Sequence, residues 1–491
     1  MSKDYGLRRL ALGTVLGAFP GRQAPAWALD LLGEGLAGYV LFGYNIVDRG
    51  QLAALSASLH AARDGVLIGT DEEGGDVTRL AHRVGSPYPG NAALGALGDP
   101  TITRRIYRTI GAELDRLGLN LNLAPTVDVN TADDNPIIGT RSFGAEPLRV
   151  AAHAAAAVTG LQSARVAACA KHFPGHGATM ADSHLELPTV DVDLDTLHAR
   201  ELPPFVAAIE SGTQSIMSAH IRVPALTGAA PATFSRAVLI DLLRDELGFN
   251  GVLVTDALEM QGARRYSDTI PRGAVLALAA GADLLCIGAE VDHALTVACV
   301  EEIVAAVGDR RLPLTRLEEA AARVAALSEW TRRGDRTDRE EPGLGYPTAL
   351  GAVRVEGTLD GVGSPLIVQL ESEVSIAVGR VPWGLGPHVN GAEQVRLVAA
   401  LADPATLRAR AGTRPIVVVG RNLHRLAGGP ELVDALAATH RVVVVEMGWP
   451  STWRPRGARA FVITWGASHA NGRAAAETLN LADLAVVAPG S

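Results

Sequence analysis

The first part of the chain repeats one pattern: a short apolar run that ends on a polar residue, then a longer segment with apolar positions at helical spacing. The runs are Leu10–Ala18, Tyr39–Phe42, Val66–Gly69, Leu119–Ala124, Val166–Ala170, Ile216–Ala219, Val252–Thr255 and Leu284–Ile287. Strands alternating with helices predict a parallel β/α protein, and eight such runs predict a (β/α)8 TIM-type barrel rather than an open sheet. One unit shows the logic in detail. Ser235 is a candidate N-cap, Val238, Leu239, Leu242, Leu243 and Leu247 share one helical face, and Gly248 is placed to end the helix. Val291 to Val307 and Leu314 to Trp330 read as helices that close the barrel.

The pattern then changes. Residues 332–348 combine Arg, Asp and Glu with Pro342, Gly343, Gly345 and Pro347, the composition of a solvated linker. Residues 1–331 are thus expected to form the barrel with its closing helices, and residues 349–491 a smaller α/β sandwich domain with a mostly parallel sheet. In that domain Leu366–Val368, Ile416–Val419, Val442–Val445 and Phe461–Thr464 are strand-like, while Gly391–Ala402 and Glu431–Ala438 read as helices.

Size agrees with two domains, because single cores stop growing near about 250–300 residues and this chain has 491. A net charge of −9 with 20% charged residues lacks the basic excess expected of a nucleic-acid or anionic-membrane binder, so neither partner is expected. Cys169, Cys286 and Cys299 are too scattered for a disulfide framework or a CxxC metal site, which suits a reducing, cytoplasmic location. The basic start followed by Leu10–Phe19 imitates a signal peptide, but Gly13 and Gly17 interrupt the apolar run and no small-residue cleavage site follows promptly. It reads as a first buried strand, and no unbroken apolar stretch is long enough to predict a membrane span.

In a parallel barrel the chemistry collects at the carboxyl ends of the strands. The polar residues there are Asp71, Asp128, Lys171 with His172, His220 and Asp256. Each alone could be a cap or a loop hydrogen bond. Together they place acids, a base and imidazoles on one face. The stretch Lys171-His172-Phe173-Pro174-Gly175-His176-Gly177, followed by Asp182-Ser183-His184, invites a metal reading, yet Pro174, Gly175 and Gly177 oppose the helix that would bring His172 and His176 onto one face. A cation at Lys171 also opposes a metal, so none is expected. The chain has only two lysines, Lys3 and Lys171, and a compact ammonium suits a ring of sugar hydroxyls.

These motifs, with Asp71-Glu72-Glu73-Gly74-Gly75, Asn135-Pro136-Ile137-Ile138-Gly139-Thr140-Arg141-Ser142-Phe143-Gly144 and Gly251 to Met260, resemble glycoside hydrolase family 3, and more narrowly its bacterial β-N-acetylglucosaminidase branch. The resemblance runs from the first strand to about residue 330. It implies a retaining, exo-acting enzyme that removes terminal β-linked GlcNAc from cell-wall fragments or chitooligosaccharides without a cofactor. By that resemblance Asp256 is the nucleophile that forms a glycosyl ester, and His184 is the general acid/base with Asp182 as its partner. Asp71, Arg141, Lys171 and His172 would hold the sugar. An imidazole beside a carboxylate can be protonated at working pH, and residues two apart in an extended loop face the same way. His176 is read as structural, fixing the loop through a backbone bond. Asp76 and Ala257 stand where relatives carry a basic residue and a second aspartate. A phosphorylase is the alternative enzyme, since an imidazole does not repel phosphate as a glutamate would, and a non-catalytic sugar-binding homologue is the alternative without turnover. Glu446, which ends a strand of the second domain, is a minor candidate for the acid.

Overall fold

The computed structural model describes residues 2–334, 340–372, 375–389 and 391–482. Of the expected linker, residues 335–339 lie outside this range, as do residues 483–491 of the expected second domain. The chain divides into two compact units. One comprises Met1–Glu72, Pro100–Ile138 and Gly144–Glu341, and the other comprises Glu73–Asp99, Gly139–Phe143 and Pro342–Ser491. Two segments that precede residue 331 therefore group with the second unit.

The first unit is a parallel barrel of β1 (Val15–Gly17), β2 (Gly38–Val40), β3 (Leu67–Thr70), β4 (Leu121–Asn122), β5 (Ala167–Phe173), β6 (Ser215–Ser218), β7 (Val252–Thr255) and β8 (Leu285–Cys286). Each strand pairs with its sequence neighbours, β1 pairs β8, and a bridge from Val254 to Leu284 joins β7 to the last strand. Each of the eight apolar runs therefore overlaps a strand of this sheet. A helix follows each strand, and several begin as their residues dictate: Asp48 accepts from the Gln51 N–H at 2.8 Å, and Glu146 accepts from the Leu148 and Arg149 N–H groups ahead of Pro147.

Three local expectations are corrected. The run Leu10–Ala18 is not one strand, because Ser2–Leu12 is a helix and only Val15–Gly17 pairs. The Ser235 hydroxyl caps nothing. Its carbonyl instead accepts from the Val238 and Leu239 N–H groups, and the helix Ala237–Glu246 is wound wider than an α-helix, although Val238, Leu239, Leu242 and Leu243 are buried as predicted. Helix Gly391–Ala402 is absent: Gln394–Leu397 is a strand and Ala399–Leu401 a single tight turn. Val395 and Leu397 alternate with Gln394 and Arg396, a period-two pattern that an edge strand satisfies and a helix does not.

In the second unit, β9 (Arg354–Gly357), β10 (Leu366–Leu370), β11 (Gln394–Leu397), β12 (Ile416–Gly420), β13 (Val442–Glu446) and β14 (Ala460–Ile463) form one sheet in the order β11-β10-β12-β13-β14-β9. All pairs are parallel except β14 with β9. Apolar residues cover both faces of the sheet, with Val368, Val418 and Val444 on one and Ile367, Val417 and Val443 on the other.

Candidate active site

Period-two alternation carries the barrel interior directly into the site. Leu67, Ala167, Cys169, Val252 and Val254 belong to one apolar cluster, against which Val324 and Leu327 of the helix Leu314–Arg332 also pack. Two residues beyond Cys169 and Val254 come Lys171 and Asp256, and four beyond Leu67 comes Asp71, so all three project from the same face once the apolar layer ends. The Lys171 Nζ donates to Asp71 Oδ1 at 2.9 Å, and Lys171 is only 2% exposed. Strict alternation would turn His172 away from the site. The pairing of β5 with β6 shifts register between Lys171 and Phe173, and such a bulge re-aims the residue it contains.

Asp128 organises the loop that follows. After β4 the chain stays beside β5, with Thr126 bridged to Lys171 and the Val127 N–H donating to the Lys171 carbonyl at 2.7 Å, which brings Asp128 under His172. Asp128 Oδ2 accepts from His172 Nδ1 at 2.7 Å, and Oδ1 accepts from the backbone N–H groups of His172 at 3.2 Å and His176 at 2.7 Å. Burial would raise this carboxyl, but the His172 imidazole and the hydrogen bonds outweigh it and hold its pKa below the ordinary value.

His176 is structural by a different route from the expected backbone bond. Its Nδ1 pairs with Thr179 Oγ1 at 2.7 Å and its Nε2 with Ser183 Oγ at 3.0 Å. Burial, aided by the nearby His172, lowers its pKa to about 4, so it is neutral with both nitrogens engaged. Among the described residues no group of three or more His, Cys, Asp or Glu side chains is arranged to hold a metal ion. Gly177 is required here by close approach: a Cβ would stand 1.9 Å from the Val129 carbonyl oxygen.

Asp182 and His184 do meet, in a turn rather than an extended segment. One oxygen, Asp182 Oδ1, accepts from both the His184 N–H at 2.9 Å and Nδ1 at 2.7 Å, which fixes the ring. His184 Nε2 has no hydrogen-bond partner among the described residues. Desolvation pushes the Asp182 carboxyl up, and its bonds to His184 more than reverse this, leaving it below the ordinary range. The loop is tied to the segment after β7, since the Gly262 N–H donates to the Ser183 carbonyl at 3.1 Å and the Gln261 N–H to that of His184 at 3.4 Å.

Asp256 follows β7 directly. Its Oδ1 accepts from the Ala257 N–H at 2.8 Å, so the backbone of Ala257 supplies a donor where its side chain cannot. Desolvation would raise its pKa, but the imidazoles of His220, His172 and His184 together with that N–H hold it down to about 2. His220 is fully buried between Thr233 Oγ1 at 2.8 Å and the Ala257 carbonyl at 3.0 Å, so it braces the residue next to Asp256.

Asp71, Asp128, Lys171, His172, Asp182, His184, His220 and Asp256 thus belong to the barrel unit. Arg141 belongs to the second unit, where Nε and Nη2 clasp Glu73 at 2.9 and 2.8 Å. Glu446 is buried and accepts from the N–H groups of Asn422, Leu423 and Gly448 at 2.7, 2.8 and 2.7 Å, while burial raises its pKa to about 7. Those bonds make it the tie between two strand ends of its own sheet. Sequence reasoning assigned no task to Asp128, Thr179, Ser183 or Glu73. Asp128 was visible as a polar residue ending an apolar run, whereas the hydroxyls carried no signal.

A (β/α)8 barrel whose carboxyl face bears an aspartate held below the ordinary carboxylate range and a separate imidazole–carboxylate pair is the architecture of a TIM-barrel enzyme site, with groups suited to nucleophilic and acid–base chemistry. Residues 16–327 match the glycosyl hydrolase family 3 N terminal domain, and the chain belongs to that family. Beta-hexosaminidase A of Pseudoalteromonas piscicida is 34% identical over 318 residues, covering 60% of this chain and 53% of that protein. The chain therefore spans about half the length of this relative. Beta-hexosaminidase of Nitrosomonas eutropha is 36% identical over 305 residues, or 60% of this chain and 86% of its own length. Among solved structures, a family 3 beta-N-acetylglucosaminidase from Paenibacillus sp. FPU-7 is 31% identical and superposes with a TM-score of 0.86, covering 97% of both chains.

Proposed function

We propose that the chain is a retaining, exo-acting β-N-acetylglucosaminidase that removes terminal β-linked GlcNAc from cell-wall fragments or chitooligosaccharides. The observation that carries this is the division of labour on one face: Asp256, at the end of β7 with its Oδ1 accepting from the Ala257 N–H and its carboxyl held below the ordinary range by the surrounding imidazoles, and an imidazole whose Nδ1 is fixed by Asp182 and whose Nε2 has no partner among the described residues. Asp256 attacks the anomeric carbon as the glycosidic oxygen takes a proton from His184 Nε2, giving a glycosyl ester and the free leaving group. A water molecule then gives its proton back to Nε2 and its oxygen to the sugar, releasing Asp256. Asp71 and Lys171, paired at 2.9 Å, and His172, steered by Asp128, present acceptors and donors to the ring hydroxyls. Arg141, with its fork held by Glu73, is assigned a further sugar contact. The name of the Paenibacillus structure, a beta-N-acetylglucosaminidase, supports the choice of an N-acetylated sugar, and the beta-hexosaminidase names of the P. piscicida and N. eutropha relatives support a hexosamine glycoside.

Three buried free cysteines suit a reducing location, and we assign the protein to the cytoplasm on that ground. Among the described residues no single helix is long and apolar enough to cross a membrane. Release of nitrophenol from an aryl β-N-acetylglucosaminide, with and without added phosphate, tests the activity. Hydrolysis independent of phosphate is the expected result. A rate that rises with phosphate, with a sugar phosphate as product, would make the chain a phosphorylase, and no release under either condition would remove the enzymatic reading.

A further inference from the structure

The second unit carries a feature the glycosidase reading does not use. In its parallel sheet the chain runs from β10 outward to β11 and then returns to the other side of β10 as β12, so the connections diverge between β10 and β12. In open α/β sheets of this strand order, ligands bind in the crevice outside the carboxyl ends of the two strands at that divergence. The residues just beyond those ends are unusual. Arg421, directly after β12, is 8% exposed and stacks on Trp383, its guanidinium carbon 4.3 Å from the ring centroid. Its Nε is buried without a hydrogen-bond partner, and no ion pair to it is found among the described residues. Two residues after β10, the Ser372 hydroxyl is likewise buried and unpartnered.

Buried donors are ordinarily satisfied, so two orphaned donor groups flanking one crevice point to something that completes them. Stacking on Trp383 covers a face of the guanidinium and leaves its N–H donors in the plane, the arrangement that takes an oxyanion two-pronged. The acidic side chain that bears on Arg421 electrostatically is Asp76, but its own oxygens accept from the Ala467 N–H and the Thr140 hydroxyl, both at 2.7 Å. Asp76 thus offsets the charge of Arg421 without meeting its hydrogen bonds. Glu371, level with Arg421 across the ladder, is exposed and makes no ion pair with it.

We propose that the crevice between the carboxyl ends of β10 and β12 is an oxyanion site, in which Arg421 clamps a carboxylate or phosphate group over Trp383 and Ser372 donates its hydroxyl. The site is independent of the glycosidase assignment, because binding rather than turnover reports it.

Titrating the full chain with D-lactate and, separately, inorganic phosphate while following tryptophan fluorescence tests the proposal. A saturable response is expected, since binding alters the cation stacked on Trp383, and a response to one anion only identifies a carboxylate or a phosphate as the fitting group. Arg421→Gln should weaken binding about tenfold or more through loss of the charged two-pronged contact. Asp76→Asn, which keeps an acceptor for Ala467 but removes the competing charge, should tighten it severalfold. No saturable response to either anion overturns the site, and so does a titration unaltered by Arg421→Gln. Should Arg421→Gln fail to fold, the Asp76→Asn arm decides: tighter binding supports the proposal, and unchanged or weaker binding overturns it.

Discussion

Asp128 offers the sharpest test of how the site is built. It is 1% exposed and satisfies three donors, His172 Nδ1 and the backbone N–H groups of His172 and His176, which are themselves buried. Asp128→Ala strands all three. An unsatisfied buried donor costs about 1–3 kcal/mol, so the loss is about 3–9 kcal/mol, comparable with the whole stability of a typical domain. Asp128→Asn should cost less, about 1.5–3 kcal/mol, because the amide oxygen still accepts from both backbone groups and only the charged contact to the imidazole is lost. The amide NH2 then faces Nδ1 and forces the His172 ring to carry its proton on Nε2. Urea unfolding followed by fluorescence gives both free-energy differences. An alanine variant within about 1 kcal/mol of wild type, or an asparagine variant as damaged as alanine, would refute the reasoning, since surface substitutions move stability by less than about 0.5 kcal/mol. The pH dependence adds a signed check. The folded pKa of Asp128 lies below its unfolded value, so its charge stabilises the protein above that unfolded value and the contribution fades as pH falls through the folded one. The gap between wild type and Asp128→Asn should therefore close in acid.

Asp256→Ala should remove turnover by several orders of magnitude with every leaving group, and activity within about tenfold of wild type would exclude it as nucleophile. Because its pKa lies near 2, wild-type kcat/KM should show no acid limb at the ordinary aspartate value of about 3.9 that can be traced to Asp256. His184→Ala should slow cleavage of a natural disaccharide far more than of an activated aryl glycoside, and Asp182→Asn should do the same more weakly, as the ring stays but loses its charged anchor. Equal slowing of both substrates would sink the acid assignment. Dialysis against a chelator should leave the rate unchanged, and recovery of a lost rate on adding zinc would overturn the sugar-binding and proton-transfer roles given to the histidines. Glu446→Ala should lower the unfolding midpoint, because three N–H groups lose their acceptor, yet show no dependence on leaving group.

Much of the site was legible because a parallel barrel has a simple rule. Once Val252–Thr255 and Val166–Ala170 are recognised as strands, Asp256 and Lys171 can only emerge at the mouth, and the structure places both two residues beyond an interior apolar position. The pairing of Asp182 with His184 was also visible as a spacing, although the turn that realises it was not. The errors fell where a pattern is too short to decide. Gly391–Ala402 contains apolar residues at both helical and strand spacings, and pairing of Gln394–Leu397 with β10 selected the strand.

The repeat of short apolar runs and helical segments thus predicts by itself a parallel barrel and the carboxylates and lysine at its strand ends, because which way a side chain points along a strand is a local property. Tertiary structure decides what is not local. The register shift in β5 turns His172 toward Asp128, and the chain after β4 runs beside β5 to bring that aspartate within 2.7 Å. Arg141 meets Glu73 across 68 residues of sequence, and both belong to the second unit. Charge fields follow the same division: a lone aspartate in the sequence carries its ordinary pKa, and only the folded arrangement surrounds Asp256 with three imidazoles and a backbone N–H that keep it ionised against its own desolvation.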